Sequence, residues 1–245
     1  MAIPKIIHQT IKDRRSVPKI YFKNIEHLKT TNPSFKYHIY DNSDAAEFIS
    51  KNYDRATLKR FKSINEEYGA AKADYFRYLL LYRLGGVYLD IKSTVLKNLD
   101  QVLNDEDEYL LSHWKNKPNQ RYAGYGLYPE LSIKGEYQTW HIVASPEHPF
   151  LKEVISLVNE RIDQYDPLTS NVGHLGVIRN TGPIAYTKAI QRVIDLKKVG
   201  FRLVDIEDLG FVYSIFDKDN HLRQHQKFQS THYNNLTSPV IFKSL

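Results

Sequence analysis

The chain has 245 residues, 42% of them hydrophobic, which is enough to bury a sizeable core within one main domain. It contains no cysteine, so a disulfide framework, a thiolate metal site and a cysteine nucleophile are all excluded. A formal charge of +6, from 34 Lys and Arg against 28 Asp and Glu, favours anionic partners without choosing among nucleotides, phospholipid surfaces and nucleic acid.

In chain order, "IPKIIHQT" (3–10) reads as a buried strand ending in polar residues, and residues 18–31 carry Ile20, Phe22, Ile25 and Leu28 at helical spacing. "SFKYHIYD" (34–41) alternates with period two, so the opening reads β-α-β, the start of a nucleotide-type α/β sheet. Residues 66–84 predict a long helix with an apolar surface through Ala73, Phe76, Leu80 and Leu84, stopped by Gly85. "VYLDIK" then predicts a strand with Val87, Leu89 and Ile91 toward the core and Tyr88, Asp90 and Lys92 toward a site.

Residues 113–137, rich in Tyr, Asn, Gly and Pro, predict a long loop of the kind that often carries function. Helices are expected over 149–162 and 182–194, the second with Thr181 as N-cap and Pro183 in its first turn, and short strands over 203–216 and 238–242. The N-terminus lacks a signal-peptide core and no stretch approaches the ~20 apolar residues of a membrane span, so a soluble cytoplasmic protein with at most peripheral membrane contact is expected.

Asp74 and Arg77 lie three apart on the long helix, and Asp90 and Lys92 two apart on the strand that follows it. By spacing alone, two local ion pairs are the simpler reading. What favours a site is the Gly85-Gly86 return between helix and strand, which brings both pairs toward one point. Here the chain resembles the retaining glycosyltransferases of family 32, in "ADYFRYLLLYRLGGVYLD" with its sixteen-residue interval from Asp74 to Asp90. The segments "IPKIIHQT", "NPSFKYHIYD", "SPEHPF" and "NTGP" are similar to further landmarks of that family in the same order.

The resemblance implies a single-domain α/β fold of the GT-A-like nucleotide-binding type, a mixed central sheet flanked by helices, with residues 1–100 binding nucleotide-sugar and 101–245 forming the acceptor side and closing segments. It implies a hexosyltransferase acting with retention on a nucleoside diphosphate sugar, UDP-linked, and on a glycan or glycolipid hydroxyl in polysaccharide assembly. Asp74, Arg77 and Asp90 would be catalytic, with Asp74 and Arg77 on the sugar hydroxyls; His8, Gln9, Thr10, Tyr88 and Lys92 would complete the donor site. A carboxylate accepts from vicinal hydroxyls, and a guanidinium donates in a fixed fork.

Lys92 departs from the family's Asp-x-Asp, because an ammonium has no lone pair for Mn²⁺ or Mg²⁺. Three arrangements stay open. Lys92 replaces the cation at the diphosphate; a metal is kept by Asp90, diphosphate oxygens and a C-terminal donor such as His232 or Asn234; or Lys92 pairs with Asp90 in a degenerate site. The metal-retaining arrangement takes precedence, since imidazole and phosphate oxygens can complete a Mn²⁺ shell. His8 alone is equally a hydrogen-bonded strand-end residue, His148 a helix-start residue, and Trp114 and Trp140 core residues. The rivals are a nucleotide-sugar-binding protein without turnover and a nucleic-acid-binding protein, the latter opposed by intermixed acidic residues and the lack of a basic run.

Overall fold

The computed structural model describes residues 2–132, 134–196, 198–216 and 235–242. Strand β1 (Ile6–Thr10), helix α1 (Lys19–Thr31) and strand β2 (Lys36–Tyr40) form the expected β-α-β unit, with β1 and β2 parallel and Ile6 opposite Lys36. Helices α2 (Asn42–Asn52) and α3 (Arg55–Ser63) lead to α4 (Gly69–Leu84), which returns through two glycines into β3 (Gly86–Leu89). Then come β4 (Thr94–Val95), β5 (Tyr109–Leu111), β6 (His141–Ala144), helices α5 (Pro149–Asp163), α6 (Pro167–Ser170), α7 (Gly173–Asn180) and α8 (Pro183–Leu196), and strands β7 (Arg202–Leu203) and β8 (Phe211–Val212). The main sheet is mixed, in the order β2-β1-β3-β6-β5-β7, with β6 antiparallel to both its neighbours. A two-stranded ribbon of β4 and β8 stands beside it.

One apolar cluster joins α4, α5 and α8 to a sheet face through Tyr88, Tyr109, Ile142 and Ala144. A second covers the opposite face, where Leu28 of α1 meets Ile7, Val87, Leu89 and Val143. Alternation along the strands divides the two layers, since neighbouring residues such as Val87 and Tyr88 face opposite ways.

Several sequence expectations need correction. Helix α1 buries Tyr21, Asn24, Ile25 and Leu28, while Ile20 and Phe22 are exposed. The buried stripe is rotated because Asn24 is spent on the Ile91 and Ser93 carbonyls. Helix α4 is buried on nearly every side rather than along one stripe, and Leu84 is partly exposed. The helix starts at Gly69, after a turn in which Tyr68 N–H bonds to Asn65 O at 2.9 Å.

Strand β3 ends at Leu89, so the alternation does not reach Lys92. Asp90 N–H still bonds Trp140 O in register with the β3–β6 ladder, and Ser93 N–H then bonds Asp90 O, both at 2.8 Å, the second closing a turn. Thr181 does not cap α8: its hydroxyl donates to Asp74 and to Val177 O. Residues 238–242 contribute only the isolated bridge Ile64–Ile241, and β7 and β8 are two residues each. The 113–137 segment is irregular, as expected, apart from the bridge His113–Tyr137. No helix among the described residues is long and apolar enough to cross a membrane.

The return at Gly85-Gly86 depends on glycine. Gly86 has φ +101°, and a Cβ there would stand 2.7 Å from Ile6 O and 3.1 Å from His8 Nε2. Gly86→Ala is therefore expected to cost roughly 2–4 kcal/mol of stability by denaturant unfolding, through backbone strain and a clash with the neighbouring strand.

Candidate functional site

The site forms where α4, the double-glycine return and the end of β3 meet the end of β1. Asp74 and Arg77 are one helical turn apart and both buried, 6% and 4% exposed. Arg77 Nη2 donates to Asp74 Oδ1, and Nη1 reaches Asp90 Oδ1 at 3.2 Å, so one guanidinium joins both carboxylates. Its central carbon lies 5.2 Å from the centre of the Tyr88 ring and 5.6 Å from that of Tyr78. Its Nε has no partner among the described residues. Thr181 Oγ1 donates to the second oxygen of Asp74 at 3.1 Å, bringing the start of α8 into the site.

Burial pushes the Asp74 carboxyl up to about 6, against the pull of Arg77, and the charge of Asp90 adds to the rise. For Arg77, burial disfavours the cation, but Asp74, Tyr78, Tyr88 and Asp90 together outweigh it and keep the guanidinium charged. Asp90, whose side chain is 29% exposed, is the open end of the triad.

Of the strand-end residues named from the sequence, two reach this point. Gln9 Nε2 donates to Asp90 O at 3.0 Å while its Oε1 accepts from Tyr37. Thr10 Oγ1 lies 2.9 Å from Tyr88 OH, which in turn reaches Asp90 Oδ1 at 3.3 Å. His8 points elsewhere: Nε2 bonds Gly85 O at 3.1 Å, Nδ1 meets Tyr40 OH at 3.2 Å, and burial pushes it down to about 4, so it is a neutral residue that pins the turn.

Lys92 does not pair with Asp90. Its ammonium bonds Tyr213 OH at 2.8 Å and lies 4.1 Å from the centre of that ring, while Arg77 takes Asp90. Ser93 Oγ to Tyr213 O and Ile215 N–H to Lys92 O tie the same two segments together. Trp114 and Trp140 are packed against Tyr213, ring centres 4.9 and 5.7 Å away, as core residues beside the site. His148 accepts from Phe150 N–H at the start of α5, the helix-start role expected of it. His232 and Asn234 lie outside the described residues, as do His221 and His225.

Sequence reasoning does not find Thr181, Tyr213 or the Trp140 carbonyl as site partners. Thr181 sits in "NTGP", where its place two residues before Pro183 reads as a cap; Tyr213 has no local pattern that would mark it.

Arg77→Ala is expected to destabilise the protein by about 3–5 kcal/mol, because it leaves Asp74 buried without its counter-charge. The sign with pH follows from Asp74. A carboxyl whose folded-state pKa lies above its unfolded value costs stability as pH rises between the ordinary carboxylate range and that raised value. The deficit of Arg77→Ala against wild type should thus shrink as pH falls from 7 to 5, measured by paired denaturant titrations.

Residues 18–109 match the family model of the glycosyltransferase sugar-binding region containing a DXD motif. The chain is 25% identical over 231 residues to the initiation-specific alpha-1,6-mannosyltransferase of Schizosaccharomyces pombe (strain 972 / ATCC 24843), covering 88% of this chain and 54% of that one. It is 33% identical over 103 residues to inositol phosphoceramide mannosyltransferase 3 of the same organism, covering 42% and 28%. The chain thus spans about half the length, or less, of these relatives.

Among solved structures it is similar to PaToxG glycosyltransferase, with TM-score 0.56, 16% identity and coverage of 80% and 72%. It is also similar to the UDP-bound glycosyltransferase domain of the YGT toxin, with TM-score 0.55, 8% identity and coverage of 88% and 81%. The fold is that of GT-A-like glycosyltransferase domains.

Hard divalent cations take oxygen ligands, and an ammonium has no lone pair to offer one. Oδ1 of Asp90 is shared between Arg77 and Tyr88, and Lys92 is bonded to Tyr213. Among the described residues no three His, Asp or Glu side chains form a group that could hold a metal ion, and His232 and Asn234, the further donors named from the sequence, lie outside them.

Proposed function

We propose that this chain, whose residues 18–109 carry the sugar-binding region of the DXD-motif glycosyltransferases, transfers a hexose from a nucleoside diphosphate sugar to a glycan or glycolipid hydroxyl. The observation that carries the reading is the Asp74–Arg77–Asp90 triad, assembled across a helix, a glycine return and a strand end. The names of the similar proteins, an alpha-1,6-mannosyltransferase and an inositol phosphoceramide mannosyltransferase, support mannose as the hexose and a glycan or glycolipid as the acceptor. A UDP-linked donor and retention of configuration follow from the family resemblance.

In this reading Asp74 holds sugar hydroxyls. Arg77 and Thr181 use part of its capacity, and an ionised carboxylate has about four lone-pair positions. Arg77 supplies a fixed positive charge beside the bond that breaks, where the leaving diphosphate gains charge and a preorganised cation lowers the barrier. Asp90, at the open end, contacts ribose and sugar. Lys92 has three N–H donors and gives one to Tyr213, leaving two for phosphate oxygens, so the diphosphate is neutralised by a side chain. The acceptor proton passes to the leaving phosphate.

Calorimetric titration of UDP- and GDP-hexoses, in Mn²⁺ and again in EDTA, tests the reading. Equal binding in the two buffers is expected; binding that requires Mn²⁺ would reject the side-chain cation, and no binding at all would reject the assignment. Lys92→Ala is expected to weaken nucleoside diphosphate binding about tenfold or more, and Lys92→Asp to make it dependent on Mn²⁺. Asp90→Asn should lower transfer by about 100-fold with an unchanged circular dichroism spectrum. A fully active Asp90→Asn protein would sink the proposal, and donor binding without product would identify a binding protein.

A further inference from the structure

Glu136 lies in the irregular segment between β5 and β6 and is 6% exposed. Its backbone N–H donates to Gly126 O at 2.9 Å, and its Oε1 accepts from Trp114 Nε1 at 2.7 Å. The loop closes tightly on it: a Cβ at Gly126 would come within 2.7 Å of Glu136 Cγ and 2.6 Å of Trp114 Cδ1. The second carboxyl oxygen, Oε2, is buried with no partner among the described residues. A buried unpaired acceptor is costly, and a carboxyl group is among the least suited to fill such a place for packing alone. Burial pushes this carboxyl up to about 7, against the Trp114 hydrogen bond, and the charge of Asp74 adds to the rise. Glu136 is also joined to the site by contacts: Trp114, which it holds, packs with its ring centre 4.9 Å from that of Tyr213, the partner of Lys92.

Five residues on, His141 at the start of β6 shows the same pattern. Ser112 Oγ donates to Gln138 Oε1 at 2.6 Å, so its contact with His141 Nε2 at 3.0 Å requires the proton on Nε2. That leaves Nδ1 as a bare acceptor, buried and without a partner among the described residues. Burial pushes His141 down to about 3, and the charge of Arg77 acts in the same direction. In the β3–β6 register His141 stands opposite Leu89, the residue before Asp90, so two buried polar atoms without described partners come from one short segment that borders the site. An alcohol suits them, since a hydroxyl can accept from a protonated carboxyl and donate to a bare imidazole nitrogen.

We infer that Glu136 is a donor-sugar-binding residue whose Oε2 holds a hexose hydroxyl that the Asp74–Arg77 pair does not reach, with His141 as a second contact from the same segment. The inference rests on the nucleotide-sugar reading above. It makes residues 136–141 part of the specificity for the transferred sugar, and gives the long segment before β6 a role in donor choice.

The test compares a nucleoside diphosphate with its sugar conjugate by calorimetry, UDP against UDP-glucose and GDP against GDP-mannose, in wild type, Glu136→Ala, Glu136→Asp and Glu136→Gln. Wild type should bind one conjugate more tightly than the free diphosphate. Glu136→Ala should lose about tenfold of that gain, while affinity for the free diphosphate stays within about twofold. Glu136→Gln keeps an acceptor for Trp114 and a donor at the second position, and should retain most of the gain.

Glu136→Asp keeps a carboxyl group but withdraws it by one methylene, and should lose the gain; it carries the test if the alanine variant does not fold. An unchanged sugar gain in the Ala or Asp variant overturns the inference, as does an equal loss for the free diphosphate, which would mark a structural role. A sugar gain that survives in these variants while only transfer to an acceptor fails would place the hydroxyl on the acceptor and likewise overturn it. Wild type that binds neither conjugate overturns the proposed function itself.

Discussion

The structure is organised around a guanidinium kept out of water. Arg77 is almost fully buried, and it is tolerable there because Asp74 and Asp90 meet two of its nitrogens and aromatic rings cover its face. That arrangement constrains everything nearby. Asp74 and Arg77 must sit one turn apart, α4 must be wrapped on all sides, and the chain must reverse within two residues so that Asp90 arrives at the other end of the guanidinium. Gly85 and Gly86 make the reversal sterically possible, and His8, neutral and hydrogen-bonded to Gly85 O, fastens it to β1.

The parts of this design written in adjacent residues were legible. "ADYFRYLLLYRLGGVYLD" contains the helix, the stop, the reversal and all three charged residues, and the opening β-α-β unit is visible as apolar spacing. Helix α2 carries its own start signal, a capping box in which Asp41 accepts from Asp44 N–H and Asp44 answers, which apolar spacing alone does not reveal. The rotated face of α1 shows how periodicity misleads when a polar residue is needed inside. Asn24 holds the carbonyls that follow Asp90, so the helix turns Phe22 outward.

What could not be read depends on residues far apart in the chain. Lys92 and Asp90 are two apart in sequence and were expected to share a strand face. The strand gives way before Lys92 because Ser93 N–H closes a turn on Asp90 O, and the ammonium then belongs to Tyr213, 121 positions away. Thr181 became a partner of Asp74 rather than a cap for the same kind of reason, a contact across 107 positions. Glu136 offers no local pattern at all; only burial against Trp114 and an unpaired oxygen distinguish it from the other acidic residues of a polar loop.

The tether between Lys92 and Tyr213 has a chemical consequence of its own. A cation that is bonded to the chain cannot be chelated, exchanged or left unfilled when a metal is scarce. In the proposed function it also cannot leave with the product, so the same ammonium would have to release each spent diphosphate. The phenol of Tyr213 already holds that ammonium at 2.8 Å and would compete with the departing nucleotide for it. On that proposal, release of the nucleotide is coupled to an internal hydrogen bond and not to the supply of an ion.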